Sequence, residues 1–434
     1  MDLLYANDRA GTYPDSWYAA TCAPLEAFAP LKGQHKADVV VIGGGFTGLS
    51  AALHLAEAGF DVALLEAHRV GFGASGRNGG QLGSGQRMDQ HGIEKLMGAQ
   101  DAAKLWDLAE DAKDLVKHLI SKHSIDCHLK PGIAHTAFSK SEMQEVHAEA
   151  DHLTERYGYT KIEKLDADQM HAICPSPRYH GGTLDMGAAH LHPLRYALGL
   201  AAAAAKAGVR IYERSRVQDI DPGTKTQVRT DHGAIKADHV ILGCNGYLGG
   251  LNSKVAARVM PINNFIAATE PLGDDAARVL ARDVAVADTK FVVNYFRLSH
   301  DKRLLFGGGE TYGYRFPKDI GALVRKPMTE IFPHLGDVKV DYAWGGTLAI
   351  TMRRMPYVAR LAPNILTASG YSGHGVGTAT HAGQLMARAV QGQAEGFDTM
   401  ARVPTQIFPG GSALRSPLLV LAMTWYAMRD RLGV

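Results

Sequence analysis

The residues of this 434-residue chain whose types and spacing bear most directly on chemistry are a set of glycines and one acid. Gly43, Gly45 and Gly48 fall in the spacing G-x-G-x-x-G, in the run Gly43-Gly44-Gly45-Phe46-Thr47-Gly48. The first lets a strand turn tightly into a helix, the second lets the backbone approach a pyrophosphate, and the third lets the helix pack on the sheet. A helix starting there offers unpaired N–H groups and the positive end of its dipole to phosphates. Glu66, about 20 residues on, suits the ribose hydroxyls of an adenosine. Its charge would repel the 2′-phosphate of NADP, which leaves FAD and NAD open. His190 and His192 have a metal-like i, i+2 spacing on what reads as a strand, but no Cys, Asp or Glu pattern accompanies them. A structural role is expected for both, and no metal site.

Several elements must position these groups. Ala37 to Ile42 reads as a strand buried on both faces. A helix with Leu49, Ala52, Leu53 and Ala56 on one side ends at Gly59, and Phe60 to Leu65 forms a second strand closing on Glu66. Five glycines follow in the ten residues from Gly71 to Gly80, with Ser75, Arg77 and Asn78 among them. Such a loop can wrap backbone donors around a planar anionic ligand, an element that NAD domains do not need. Leu194 to Gly208, with the run Ala201–Ala205, reads as a packed helix. Arg210 to Ile220 alternates loosely as a strand. Asp238 to Leu242 is a buried strand leading into Gly243-Cys244-Asn245-Gly246. Asn364 to Ser369 is a further strand, followed by Gly370-Tyr371-Ser372-Gly373-His374-Gly375-Val376-Gly377-Thr378 and a helix through Ala389.

Composition excludes several classes. Lys plus Arg is 46 against Asp plus Glu at 44, a formal net charge of +2, so no global field gathers nucleic acid or an anionic membrane. Cys22, Cys127, Cys174 and Cys244 form no CxxC pair, which fits a reducing compartment and argues against a disulfide framework. The most apolar windows, Tyr196–Ala205 and Pro417–Met428, are shorter than the roughly 20 residues that span a bilayer. With no basic start followed by an apolar core, a cytoplasmic protein is expected.

The runs GGGFTGLSAALHLAEAGFDVALLEA and GFGASGRNGGQ together resemble the D-amino acid oxidase-like superfamily of FAD-dependent amine oxidoreductases. The likeness extends from Ser16-Trp17-Tyr18 to Arg429–Val434 and includes HLHPL, RLLFGGG, GYSGHGV and FPGG. It implies non-covalent FAD, held by Gly43, Gly45, Phe46, Thr47, Gly48, Glu66 and Ala67. Ser75, Arg77, Asn78, Gly79, Gly80 and Gln81 would line the pyrophosphate and the flavin ring. Val217 would meet the adenine, and Cys244, Asn245 and Gly246 would return to the phosphates. Gly373, His374, Gly375, Val376 and Thr378 would place a helix N-terminus at the flavin edge where reduction gathers negative charge. Covalent attachment is not expected: the C-terminal cysteine of the sarcosine oxidases is missing, and His68 lies outside the corresponding motif.

The same resemblance implies an α/β fold: a Rossmann-type FAD-binding domain (36–90, 190–250 and 350–395) interleaved with an α+β substrate domain (91–189 and 256–349) on a mostly antiparallel sheet. The substrate domain is expected to give helices first and then strands, and 396–434 to pack on the body. Family members acting on α-amino acids carry an arginine for the carboxylate in a segment like G-L-R-P, and here Leu348 stands in its place; leucine cannot replace a guanidinium fork. Arg353 or Arg354 from a shifted register would be the alternative cation. The expectation is oxidation of an aliphatic amine, gamma-glutamylated or similar, to an imine that hydrolyses to aldehyde and ammonia, with O2 reduced to H2O2. A dehydrogenase feeding a quinone or carrier, and a non-catalytic flavin protein, are the other readings. Tyr371, His374 and Trp344 are the candidates for substrate-facing groups. His374 would bond the flavin or help the amine lose its proton, or else serve as a backbone-bonded structural histidine. Trp344, with Tyr295 and Arg297, would form an aromatic wall or simply core, and Glu310 would face a cation or solvent.

Overall fold

A computed structural model describes residues 2–311 and 313–410. The first long strand, Gly33–Ile42, becomes continuously buried from Val39 because two hydrophobic cores sandwich it. Val39 and Val41 enter one core while Val40 and Ile42 enter the other. Such a strand cannot show alternating polarity, which is why its sequence is an unbroken apolar run. It pairs in parallel with Val62–Leu65 on one edge and with Gly233–Leu242 on the other. The full eight-stranded sheet runs Tyr357–Ala362, Ile365–Ser369, Gly233–Leu242, Gly33–Ile42, Val62–Leu65 and Arg210–Tyr212, with the hairpin Val217–Asp221/Thr226–Thr230 added on Gly233–Leu242. This Rossmann-like parallel core leaves a crevice at the carboxyl ends of its central strands.

Helices Phe46–Glu57 and Gly375–Val390 pack together over this sheet. Their close approach depends on Gly383, where a Cβ would lie 2.3 Å from the Thr47 carbonyl oxygen and 2.8 Å from the Ala51 nitrogen. At the first turn, a Cβ on Gly48 would sit 1.8 Å from the Gly43 carbonyl oxygen, so only glycine lets this helix reach the strand.

A second, nine-stranded sheet orders Val340–Ile350, Met260–Thr269, Leu304–Thr311, Tyr295–Leu298, Ala285–Asp288, Lys130–Thr136, Gly182–His190 and Gln81–Leu82, with Ile162–Leu165 also on Gly182–His190. Its pairs are antiparallel except Ala285–Asp288 with Lys130–Thr136. We propose the interleaved division into FAD and substrate domains on this strand distribution. The two parts share one core, in which Val39 and Leu49 are joined by Ile266, Leu305 and Trp344.

The structure corrects several local expectations. Phe60 donates its N–H to the Leu55 carbonyl and so closes the preceding helix, and the strand starts at Val62. Arg210 to Ile220 is two strands, not one, because Arg214 adopts φ 50° and turns the chain between them. Segment 91–189 does not give helices first and then strands: helices Gln90–Met97, Ala99–Lys122 and Lys140–Tyr157 alternate with three strands of the second sheet. Gln81–Leu82, assigned to the first domain, pairs with Ala189 and His190 in the second sheet. His190 ends a strand, while His192 caps the helix Pro193–Lys206 by accepting from the Arg195 N–H, so the pair does not share a strand face. The window Pro417–Met428, and most of the expected C-terminal packing segment, lie outside the described residues. Among the described residues no helix is long and apolar enough to cross a membrane.

Replacing Gly383 with valine is expected to destabilise the protein by roughly 1–3 kcal/mol or more through overpacking. A fall of several degrees in the thermal unfolding midpoint, with loss of bound flavin, checks this.

Candidate functional site

The crevice at the strand ends opens into a cavity of about 1850 Å³. At one end it is lined by Val217 and its neighbours Ser215 to Asp219; it continues past the first glycine loop and reaches Tyr371 and His374. Gly43 has φ 107° and its Cβ position lies 2.8 Å from the Gly243 carbonyl oxygen, so two strand-end loops meet where side chains would not fit. Gly45 caps the helix without a side chain, and a Cβ there would lie 2.8 Å from the Ser75 hydroxyl. That hydroxyl accepts the Phe46 N–H (2.9 Å) and ties the second glycine-rich loop to the helix start. Glu66 accepts from the backbone N–H groups of Gly44 (2.7 Å) and His68 (2.8 Å). Burial pushes its carboxyl up to about 7 against the pull of those hydrogen bonds.

Arg77 is 3 % exposed and lies where the two sheets meet. Its Nε donates to the Phe72 carbonyl (2.7 Å), and its Nη1 donates to the Gly345 carbonyl (3.1 Å) and to Asp8. Its guanidinium stacks over the Phe72 ring, 4.3 Å from the centroid, and that ring stacks in turn on His68. Its Nη2 is buried without a hydrogen-bond partner, and Arg77 lines the cavity. A buried donor of this kind calls for an anionic or carbonyl acceptor. Asn78 holds the loop itself, donating to the carbonyls of Ala74 and Ser75 and accepting from the Gly80 N–H. Gly79 makes room for the Tyr295 ring, which would lie 2.6 Å from a Cβ there.

At the other end, the Tyr371 hydroxyl is hydrogen-bonded to Thr47 (2.7 Å) and donates to the Ala368 carbonyl (3.1 Å). Burial raises its pKa well above the ordinary tyrosine range. His374 N-caps the helix Gly375–Val390, and its Nε2 bonds the Gly85 carbonyl (2.9 Å). Burial, aided by the nearby Arg87 charge, lowers its pKa to about 4. The ring is therefore neutral at physiological pH, with Nε2 carrying the proton. Asn245, at φ 46°, accepts the Gly370 N–H (2.9 Å) and links the two loops.

The cavity thus collects Gly43, Gly45, Phe46, Thr47, Glu66, Ala67, Ser75, Arg77, Asn78, Gly79, Gln81, Val217, Cys244, Asn245, Tyr371, Gly373, His374, Gly375 and Val376 on its walls. Gly48, Gly80, Gly246, Thr378 and Trp344 stand behind them. Gly80 packs against the Leu191 carbonyl and Gly246 against that of Leu348. Trp344 is 2 % exposed and donates its Nε1–H to the Arg77 carbonyl (3.0 Å), so it supports Arg77 and forms no wall for an amine chain. His68 has both ring nitrogens engaged, with the Gly11 N–H and the Leu4 carbonyl. Burial pushes the Cys244 thiol up to about 12. His190 and His192, with pKa values lowered by burial to about 3 and about 2, bond the Asp283 carbonyl and Thr21 respectively. Among the described residues the grouping with ligand spacing is His91, Glu94 and His152, where Glu94 already accepts from Tyr157 and pairs with Arg156.

Sequence reasoning missed Asp8 and Arg87. Arg87 follows Gly83-Ser84-Gly85, a continuation of the glycine-rich stretch that marks it in retrospect; Asp8 carries no such signal.

The family model described as "FAD dependent oxidoreductase" matches residues 38–389. The chain belongs to this family. FAD is its cofactor, and the glycine cradle and the cavity at the strand ends fit that group. The oxidoreductase is 42% identical over 425 residues to the gamma-glutamylputrescine oxidoreductase of Escherichia coli K12, covering 97% of this chain and 99% of that protein. It is also 42% identical over 417 residues to a probable oxidoreductase OrdL of Rhizobium meliloti, covering 96% and 97%. The crystal structure of glycine oxidase from Geobacillus kaustophilus superposes with a TM-score of 0.72 at 21% identity, covering 86% of this chain and all of that one, and shows the same mixed α/β fold.

Arg77→Met should strand the Asp8 carboxylate and two carbonyls, a loss of about 3–5 kcal/mol for a broken buried pair. Thermal unfolding together with the flavin content of the purified variant tests this, and Arg77→Lys should restore little because it lacks the planar fork.

Proposed function

We propose that the enzyme oxidises the terminal primary amine of a gamma-glutamylated aliphatic diamine such as gamma-glutamylputrescine. The amine becomes an imine, water hydrolyses the imine to aldehyde and ammonia, and O2 is reduced to H2O2. The observation that carries this reading is Leu348. It lies on the strand Val340–Ile350 and on the cavity wall, at the position where the family resemblance implies an arginine for members that clamp an α-carboxylate. Likeness over nearly the whole chain to a gamma-glutamylputrescine oxidoreductase supports the same substrate class.

Bound FAD supplies the two-electron acceptor. Gly43, Gly45 and the start of the helix Phe46–Glu57 would hold the pyrophosphate, with Glu66 toward the ribose. The helix that begins after His374 would direct its N-terminal dipole at the site of developing negative charge. The apolar Leu348 and Ala349 would accept the alkyl chain and exclude water from it. His374 is a positioning residue in this scheme. Its Nε2 proton holds the Gly85 loop, and a ring that stays neutral above about pH 4 does not titrate in the working range. The substrate ammonium then has to lose its proton before the C–H bond is broken, and this sets the pH dependence. The full engagement of His68 and the suppressed acidity of Cys244 support non-covalent FAD.

Anaerobic addition of gamma-glutamylputrescine to the purified holoenzyme is expected to bleach the visible flavin absorption, whereas glycine and D-amino acids leave it unchanged. Bleaching by an amino acid alone would overturn the reading. Readmitting air should restore the colour with stoichiometric peroxide; restoration only by artificial acceptors would mean a dehydrogenase. His374→Gln, which keeps an N–H for Gly85, should leave the inflection of the kcat/KM pH profile in place.

A further inference from the structure

Three arginines, Arg87, Arg353 and Arg354, line the cavity that Tyr371 and His374 also line. Several other arginines pair with carboxylates, Arg69 with Glu213, Arg77 with Asp8, and Arg303 with Asp301 and Asp341, whereas the buried Arg297 is held by carbonyls and the Tyr18 hydroxyl. Among the described residues none of the three cavity arginines makes an ion pair with a protein carboxylate. Arg353 has a buried Nε with no hydrogen-bond partner. Arg87 donates its Nε to the Ser372 carbonyl (3.1 Å), beside the loop that carries His374. Arg354 adopts φ 63°, in the turn closed by its N–H to the Thr351 carbonyl, and its guanidinium lies 5.9 Å from the centre of the Phe291 ring. Burial, and after it the nearby Arg354 charge, lower the pKa of Arg87, with Glu310 acting in the opposite direction. Of the carboxylates on the same cavity wall, Asp185 is bonded to Ser84 and Tyr159 and Asp288 to Asn294, which leaves the three guanidinium groups for a ligand anion.

We propose that Arg353 and Arg354, with Arg87 behind them, form the receptor for a carboxylate that the substrate carries remote from the carbon being oxidised. This rests on the amine-oxidase reading above and specifies its substrate class: an amine with a distal acid, such as the α-carboxylate of a gamma-glutamyl group. The register supports a remote site. Leu348 and Ala349 lie on the strand itself, whereas the arginines sit beyond its end in the turn Thr351–Met355, past an apolar stretch suited to a methylene chain. Arginine is suited to the task because its planar fork can engage both carboxylate oxygens.

The test compares gamma-glutamylputrescine with N-acetylputrescine, which keeps the amine, the chain and the amide but lacks the acid. In the holoenzyme, Arg353→Met and Arg354→Met should each raise KM for the gamma-glutamyl amine roughly tenfold or more, the worth of a charged hydrogen bond, with kcat little changed. KM for the acetyl amine should stay within about twofold. Glutarate should compete with the gamma-glutamyl amine in the wild type and lose that effect in both variants, while Arg353→Lys recovers part of it. Parallel increases for both amines, or unchanged KM for the acid-bearing one, would overturn the proposal. If the wild type bleaches with neither amine, the amine-oxidase reading itself has failed. Calorimetric binding of glutarate to the holoenzyme then decides the receptor alone: loss of binding in the variants supports it, and no binding to the wild type overturns it. Flavin content and unfolding midpoint show whether each variant is folded.

Discussion

Arg77 sits almost without solvent between the two sheets, and the surrounding structure is arranged to satisfy it. Its donors reach Asp8 near the N-terminus, Phe72 in the second glycine-rich loop and Gly345 in the far strand of the substrate sheet. Trp344 fixes its backbone from behind. A buried guanidinium with partners from three separate parts of the chain constrains all of them at once, because losing any acceptor leaves a desolvated charge. The position of the guanidinium is therefore set by the whole fold rather than by its own loop.

The cavity has two electrostatic characters. Toward the first glycine loop, neutral backbone donors and a helix dipole meet a carboxyl whose proton affinity is raised by burial. Farther along, burial holds Tyr371 and His374 in their neutral forms, and both arginines and carboxylates line the wall.

The strand–turn–helix of Gly33–Glu57 was legible because its constraints are local. A Cβ at Gly48 collides with the strand it follows, and an apolar run from Val39 to Ile42 has no solvent-facing side. The loop around Ser75 and Asn78 was legible for a similar reason, since its hydrogen bonds close within a few residues. Arg210 to Ile220 was misread because one left-handed residue, Arg214, splits a run whose alternation looks continuous. Trp344 was misplaced because an aromatic on a strand carries no mark of which side faces a ligand.

The amino-acid sequence by itself determined the dinucleotide-binding unit, the family and the absence of an arginine at position 348, since each depends on residue type at fixed short spacing. Only the tertiary structure decided that Asp8 pairs with Arg77, that His374 is a neutral cap on the Gly85 loop, and that Arg87 joins Arg353 and Arg354 around one cavity. These contacts join residues about 70 to 290 positions apart. Their burial and mutual charge arise only when the two sheets close on each other, and the linear sequence does not record that closure.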